Sequence, residues 1–168
     1  MTDHKDVSWD MLEDRAGRVL DLYKKAGLTI VTAESCTGGL VAGVLTAIAG
    51  SSAVVDRGFV TYTNEAKTDC LGVPAATLKA KGAVSAEVAE AMAKGALLAS
   101  NASVSVSVTG VAGPGGGSDE KPVGLVQFAS ASSTGRLIAR EMRFGDIGRT
   151  QVRLASVATA LELLEKQL

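Results

Sequence analysis

The sequence predicts a single-domain layered α/β sandwich in which helices flank a mixed sheet. Three observations predict it. Short runs rich in β-branched residues alternate with stretches whose apolar residues recur at helical spacing. Two of the runs, 123–130 and 136–144, are joined by Ser133-Thr134-Gly135 and read as an antiparallel hairpin, which makes the sheet mixed. Alanine, valine and glycine abound while aromatics make up only 4% of the chain, a composition that lets helices lie close on a sheet. A length of 168 residues is enough for one domain with a proper core, and no repeat or linker divides it. Residues 1–7 read as a polar N-terminal tail and residues 8–168 as the domain.

Ser8 can cap a first helix whose apolar face is Leu12, Ala16, Val19, Leu20 and Tyr23, with Gly27 as its stop. The run from Leu28 to Val31 reads as a buried strand. Leu40, Val41, Val44, Leu45 and Ile48 then recur at helical spacing, so a helix is predicted to about Ile48. Gly50-Ser51-Ser52 breaks it. Residues 58–63, Gly-Phe-Val-Thr-Tyr-Thr, have the content of a strand. Asn64 opens a short helix ending near Leu71-Gly72, and Pro74 starts another. Ser85 is the expected N-cap of a helix through Val88, Met92 and Leu97, with Glu87 in its first turn. Residues 102–109 alternate serine with valine, as a strand does. A glycine-rich loop, 110–122, leads into the hairpin, and a last helix runs from about Gly148 to the end.

Composition excludes several classes of function. A net charge of −1 without a long basic run argues against a nucleic-acid binder. No apolar stretch reaches membrane-spanning length and no signal-peptide pattern opens the chain. Two cysteines, Cys36 and Cys70, are too few for a disulfide framework, so a reducing cytoplasm is the expected setting. The one histidine, His4, lies in the tail, which removes Ser-His-Asp, Cys-His and histidine-metal chemistry. Any base must therefore be Lys, Asp, Glu or Tyr. No metal and no cofactor is expected.

Three turns that follow strands carry the candidate chemistry, as open α/β sheets place their ligands there. The first is Thr32-Ala33-Glu34-Ser35-Cys36-Thr37-Gly38-Gly39, a strand-to-helix turn. A helix start gathers unpaired N–H groups and positive potential, so an anion or oxyanion is expected beside it; packing alone would explain the small residues equally well. Ser35 and Cys36 are rival nucleophiles, since a helix start also lowers a thiol's pKa. The second turn, Tyr62 to Lys67, offers a lysine that could serve as base if burial keeps it neutral. A solvated helix lysine and a packing tyrosine are the plainer readings. The third, the 109–118 loop, matches neither GxxxxGK[ST] nor GxGxxG, because Ser118 stands where the last glycine is needed. Its consecutive glycines could form a nest of N–H groups for phosphate or an oxyanion, or simply a surface loop.

The stretch 32–39 resembles the signature of the CinA C-terminal domain family. The resemblance continues through Gly50-Ser51-Ser52, Tyr62-Thr63-Asn64-Glu65-Ala66-Lys67, Leu71-Gly72-Val73-Pro74, Gly82-Ala83-Val84-Ser85, Thr109 to Gly116 and Lys121-Pro122-Val123-Gly124. It spans residues 10–165 in the family's order. It implies an amidohydrolase that converts nicotinamide mononucleotide to nicotinic acid mononucleotide and ammonia, a salvage step for pyridine nucleotides. The family's serine nucleophile, lysine base and neighbouring tyrosine fall on Ser35, Lys67 and Tyr62, and its threonine before the glycine loop falls on Thr109. The family's arginine directly follows Gly-Asp; here Ile147-Gly148 separates Gly145-Asp146 from Arg149. Larger relatives carry a further N-terminal domain, for which this chain leaves no room. The expected site is thus Ser35, Lys67 and Tyr62 for catalysis, with Glu34, Thr37, Gly38, Thr109, Gly110, Gly113, Gly115, Gly116 and Arg149 binding substrate. A homo-oligomer, a dimer first, is the expected assembly. The alternative function is a catalytically silent pyridine-nucleotide-binding or regulatory module.

Overall fold

The computed structural model describes residues 6–168. His4 and most of the predicted tail lie outside the described residues. Val7, also assigned to that tail, is buried in the main core, where its carbonyl accepts a hydrogen bond from Gln151.

Helix α1, Trp9–Ala26, starts and stops where its caps predict: Ser8 accepts from the Met11 N–H, and Gly27 adopts φ 67°. Strand β1 is Ile30–Glu34 and leads through a turn to α2, Leu40–Thr46. After a single 3-10 turn come β2, Val55–Val60, and three helices: α3, Asn64–Leu71; α4, Ala75–Lys81; and α5, Ala86–Leu98. Strands β3, Val104–Gly110, β4, Leu125–Ser132, and β5, Leu137–Arg143, precede α6, Arg149–Gln167.

The five strands lie in the order β2-β1-β3-β4-β5. Strand β1 is parallel to both β2 and β3, while β4 and β5 complete the sheet antiparallel. The sheet is mixed and its helices cover both faces. Ile30, Val104, Val106, Val108, Val126 and Phe128 face the layer of α1, α2 and α6. Val31 and Ala33 face α3, α4 and α5.

The serine–valine alternation of β3 now has a cause. Its valines fill the first core, and its serines meet α5, where alanines let helix and sheet come close. Ser105 donates to the Ala93 carbonyl at 2.8 Å and Ser107 to that of Ala89 at 2.6 Å. Buried hydroxyls cost stability unless paired, and here the α5 backbone pairs them.

Strand β2 differs most from expectation. The predicted 58–63 strand runs instead from Val55 to Val60. Asp56 and Arg57 hid its beginning, since β2 is an edge strand that exposes them. Its predicted end is drawn into the next helix, because Thr63 caps α3 by accepting from the Ala66 N–H at 3.1 Å. Strand β1 likewise runs on to Glu34 rather than ending at Val31, and α2 stops at Thr46, short of Ile48.

Candidate active site

Side chains alternate along β1, and this sorts its last residues. Thr32 and Glu34 follow the face covered by α2, whereas Val31, Ala33 and then Ser35 follow the face of α3–α5. The Ser35 N–H donates to the Val108 carbonyl at 2.9 Å, which extends the β1–β3 ladder by one rung. The same alternation carries Ser105, Ser107 and Thr109 toward α5. Ser35 and Thr109 therefore emerge side by side at the ends of two parallel strands.

This is the switch point of the sheet. The chain leaves β1 for β2 through α2 on one face and returns from β2 to β3 through α3–α5 on the other, so a crevice opens beyond the ends of β1 and β3. A cavity of about 290 Å³ lies there, with Ser35, Cys36, Tyr62, Lys67, Thr109 and Arg149 among its lining residues. Gly110, Gly113, Gly115 and Gly116 line it as well. All three turns singled out in the sequence meet at this place.

Lys67 is only 1% exposed, and its Nζ stands 3.1 Å from Ser35 Oγ, 2.9 Å from the Thr61 carbonyl and 3.5 Å from that of Thr63. Among the described residues it has no carboxylate partner. Burial holds its pKa below the ordinary lysine range, with a smaller opposing effect from Cys36. A neutral amine suits these surroundings: two N–H groups for two carbonyls, and a lone pair for the Ser35 hydroxyl proton. The ammonium form is satisfied by the same three oxygens. A proton can therefore pass from Ser35 to Lys67 without rearrangement.

The rival nucleophile has the wrong environment. Cys36 lines the cavity, but burial pushes its thiol up to about 12, so it stays protonated near neutral pH. The expectation that a helix start would lower this pKa fails because burial outweighs it; α2 itself begins only at Leu40, after a turn.

That helix start is also already filled. Glu34, expected to bind substrate, is 1% exposed and does not line the cavity. Its carboxylate accepts the N–H groups of Val41 at 2.9 Å and Ala42 at 3.1 Å. The anion that the α2 N-terminus was expected to attract is the chain's own. Thr37 and Gly38 lie outside the cavity lining too. The Thr37 carbonyl accepts from Arg153, and Gly38 has φ 58°.

Tyr62 is 60% exposed, at the cavity mouth. Arg149, the first residue of α6, donates to its hydroxyl at 3.0 Å and to the Gly113 carbonyl at 2.7 Å. The arginine therefore ties the β2–α3 turn to the glycine loop. Thr109 gives its hydroxyl proton to the Ala83 carbonyl at 2.9 Å, which leaves its oxygen lone pairs as acceptors. The backbone N–H groups of Ala112, Gly113, Gly115 and Gly116 make no hydrogen bond among the described residues. Gly110 has a packing reason as well: a Cβ there would come within 2.7 Å of Val126 and 2.8 Å of the Leu125 carbonyl. Sequence reasoning missed Thr61, whose carbonyl holds Lys67, and Arg153. The second could have been found from its spacing, four residues beyond Arg149 on a predicted helix.

A family model described as CinA C-terminal domain matches residues 12–168. The chain belongs to that family. Over 157 residues it is 52% identical to a protein of Escherichia coli K12 named nicotinamide-nucleotide amidohydrolase PncC, covering 93% of this chain and 92% of that protein. It is 49% identical over 150 residues to a CinA-like protein of Geobacter sulfurreducens, of which it spans only 36%. Among solved structures, the competence/damage inducible protein CihA of Agrobacterium tumefaciens has 60% identity and a TM-score of 0.91 over 92% of this chain and 94% of that one. A CinA superfamily protein of Escherichia coli reaches a TM-score of 0.89 at 34% identity, over 98% of this chain and 97% of that one. The α/β single domain with its mixed sheet is thus the fold of the CinA C-terminal family. No helix among the described residues is long and apolar enough to cross a membrane.

Proposed function

We propose that this protein is a nicotinamide-nucleotide amidohydrolase that converts nicotinamide mononucleotide to nicotinic acid mononucleotide and ammonia. Half-identity over nearly the full length to proteins bearing that name supports the substrate. The observation that carries the chemistry is the buried Lys67–Ser35 pair, 3.1 Å apart at the floor of the cavity.

Ser35 Oγ attacks the carboxamide carbon while its proton passes to neutral Lys67. The tetrahedral oxyanion draws on backbone N–H groups beside Ser35 or in the glycine loop. Lys67, now charged, protonates the leaving nitrogen; the C–N bond breaks and ammonia departs. A water molecule that gives its proton to Lys67 then attacks the acyl-serine; the ester C–O bond breaks and Lys67 returns the proton to Ser35 Oγ. Thr109, an acceptor on the cavity wall, suits the amide N–H of the substrate. Arg149 suits the phosphate, exchanging its hold on Tyr62 and the Gly113 carbonyl for the stronger charge-assisted bonds of a phosphate. In this reading Glu34, Thr37 and Gly38 shape the turn that presents Ser35 rather than touch substrate.

The test is to incubate the purified protein with nicotinamide mononucleotide and follow free ammonia and the acid product by mass. Wild type is expected to release both in equal amounts, and Ser35→Ala neither. Binding of the nucleotide without ammonia release would support the silent regulatory module instead.

A further inference from the structure

The turn that presents Ser35 is held at two points. Glu34 binds the N–H groups at the start of α2. Arg153 of α6 donates from Nε to the Cys36 carbonyl at 3.1 Å and from Nη2 to the Thr37 carbonyl at 3.2 Å. These two carbonyls belong to the Cys36–Thr37 and Thr37–Gly38 peptide units, the second and third after the nucleophile, and the Gly38 N–H of the last donates to the Ser35 carbonyl at 3.0 Å. A peptide plane has one orientation for its C=O and the opposite one for its N–H, so holding both carbonyls fixes both planes.

Two features show that the chain accommodates this clamp at a local cost. A cation near a helix N-terminus opposes the helix dipole, yet α6 carries Arg149 and Arg153 near its start, no acidic residue in its first turn and no side-chain cap. Gly38 holds φ 58°, and a Cβ there would lie 3.3 Å from Arg153 Nη2, so the missing side chain makes room for the guanidinium. Arg153 is not among the residues that line the cavity.

We infer that Arg153 is a positioning residue: its guanidinium fork locks the Cys36–Thr37 and Thr37–Gly38 peptide planes and, through the Gly38 N–H on the Ser35 carbonyl, holds the serine hydroxyl against Lys67. The inference rests on the proposed Ser35–Lys67 chemistry. The planar fork meets two carbonyls in fixed geometry, which a lysine ammonium on a flexible stem does not reproduce.

The experiment uses Arg153→Ala and Arg153→Lys beside wild type, with two readouts. The first is the rate at which a sulfonyl fluoride labels Ser35, followed by intact mass and peptide mapping. There the Ser35 Oγ–S bond forms, fluoride leaves, and the serine proton passes to Lys67. Wild type is expected to label at Ser35, Arg153→Ala at least about tenfold more slowly, and Arg153→Lys in between, with added guanidinium partly restoring the alanine variant. The second readout is steady-state turnover of nicotinamide mononucleotide, in which kcat should fall with KM little changed. Thermal melts accompany both. Equal labelling rates in wild type and Arg153→Ala would overturn the inference, as would a raised KM with kcat intact. Loss of labelling matched by loss of the folded state in both variants would make the residue structural and overturn it too. If wild type labels at Ser35 and the variants slow as expected, yet no ammonia is released, the substrate assignment fails while the clamp stands.

Discussion

In the proposed chemistry Lys67 is the base. A base must be neutral to accept the Ser35 proton, and an ordinary lysine, with a pKa near about 10.4, is almost wholly charged at neutral pH. Burial lowers that value here, so kcat/KM should rise with pH along a limb whose midpoint lies below the ordinary lysine value. Lys67→Arg should lose at least about a hundredfold in kcat, close to Lys67→Ala, because arginine keeps its charge. Substantial turnover by the arginine variant would move Lys67 from proton transfer to binding. The same shift predicts a stability effect. The unfolded chain binds the lysine proton more tightly than the folded chain does, so stability rises with pH between the folded and unfolded pKa values. Lys67→Met removes this dependence. Its melting temperature relative to wild type should therefore be highest at low pH and fall as pH rises through the lowered pKa. Cys36→Ala, by contrast, should keep most activity, since a thiol near 12 contributes no nucleophile.

Helix α3 brings Lys67 to Ser35, and its position depends on close contact with α5. A Cβ at Gly95 would collide with the Leu71 carbonyl, so only glycine allows the two helices to meet as they do. Gly95→Ala should cost about 1–3 kcal/mol in urea unfolding and also reduce kcat, because α3 must shift and carry Lys67 with it. A normal melt with normal turnover would show that α3 can slide without consequence. The glycine loop allows a cleaner separation of stability from function. Gly115 lines the cavity and a Cβ there meets nothing, whereas Gly116 has φ 82°. Gly115→Val should then lower activity with its melting temperature unchanged, while Gly116→Val should lower both, since a β-branched residue strains that backbone. Equal stability loss in the two variants would make the loop a structural element only.

The molecule assembles its cavity from every parallel strand end and from the far helix α6, so ligand binding should tie these parts together. In Ser35→Ala, saturating nicotinamide mononucleotide at about a hundred times Kd should stabilise the fold by about 2.7 kcal/mol. Thermal shift against nucleotide concentration measures this, and a flat response would argue against the cavity as the nucleotide site. Among the described residues, no group of three or more His, Cys, Asp or Glu side chains could hold a metal ion. Turnover should accordingly survive dialysis against a chelator. Restoration of a lost activity by added zinc or magnesium would contradict the lysine-based chemistry.

Local patterning was enough to give the α/β class, the helix starts within a residue or two, the β4–β5 hairpin and the three turns that form the site. These features depend on neighbours in the chain: Ser8 and Ser85 cap through backbone N–H groups three residues on, and Gly27 and Gly72 close helices through their own φ. The second strand was misplaced because its edge position, invisible in the sequence, tolerates Asp56 and Arg57. The roles within the 32–39 turn needed the sheet. Glu34 and Ser35 are adjacent in the chain, yet strand alternation and the parallel register of β1 with β3 send one carboxylate to cap α2 and one hydroxyl to Lys67. The lowered pKa of Lys67, the raised pKa of Cys36 and the grip of Arg153 all arise from burial and from partners 32 to 117 residues away. Electrostatics of this kind depends on which groups share a low-dielectric space, and only packing in three dimensions sets that.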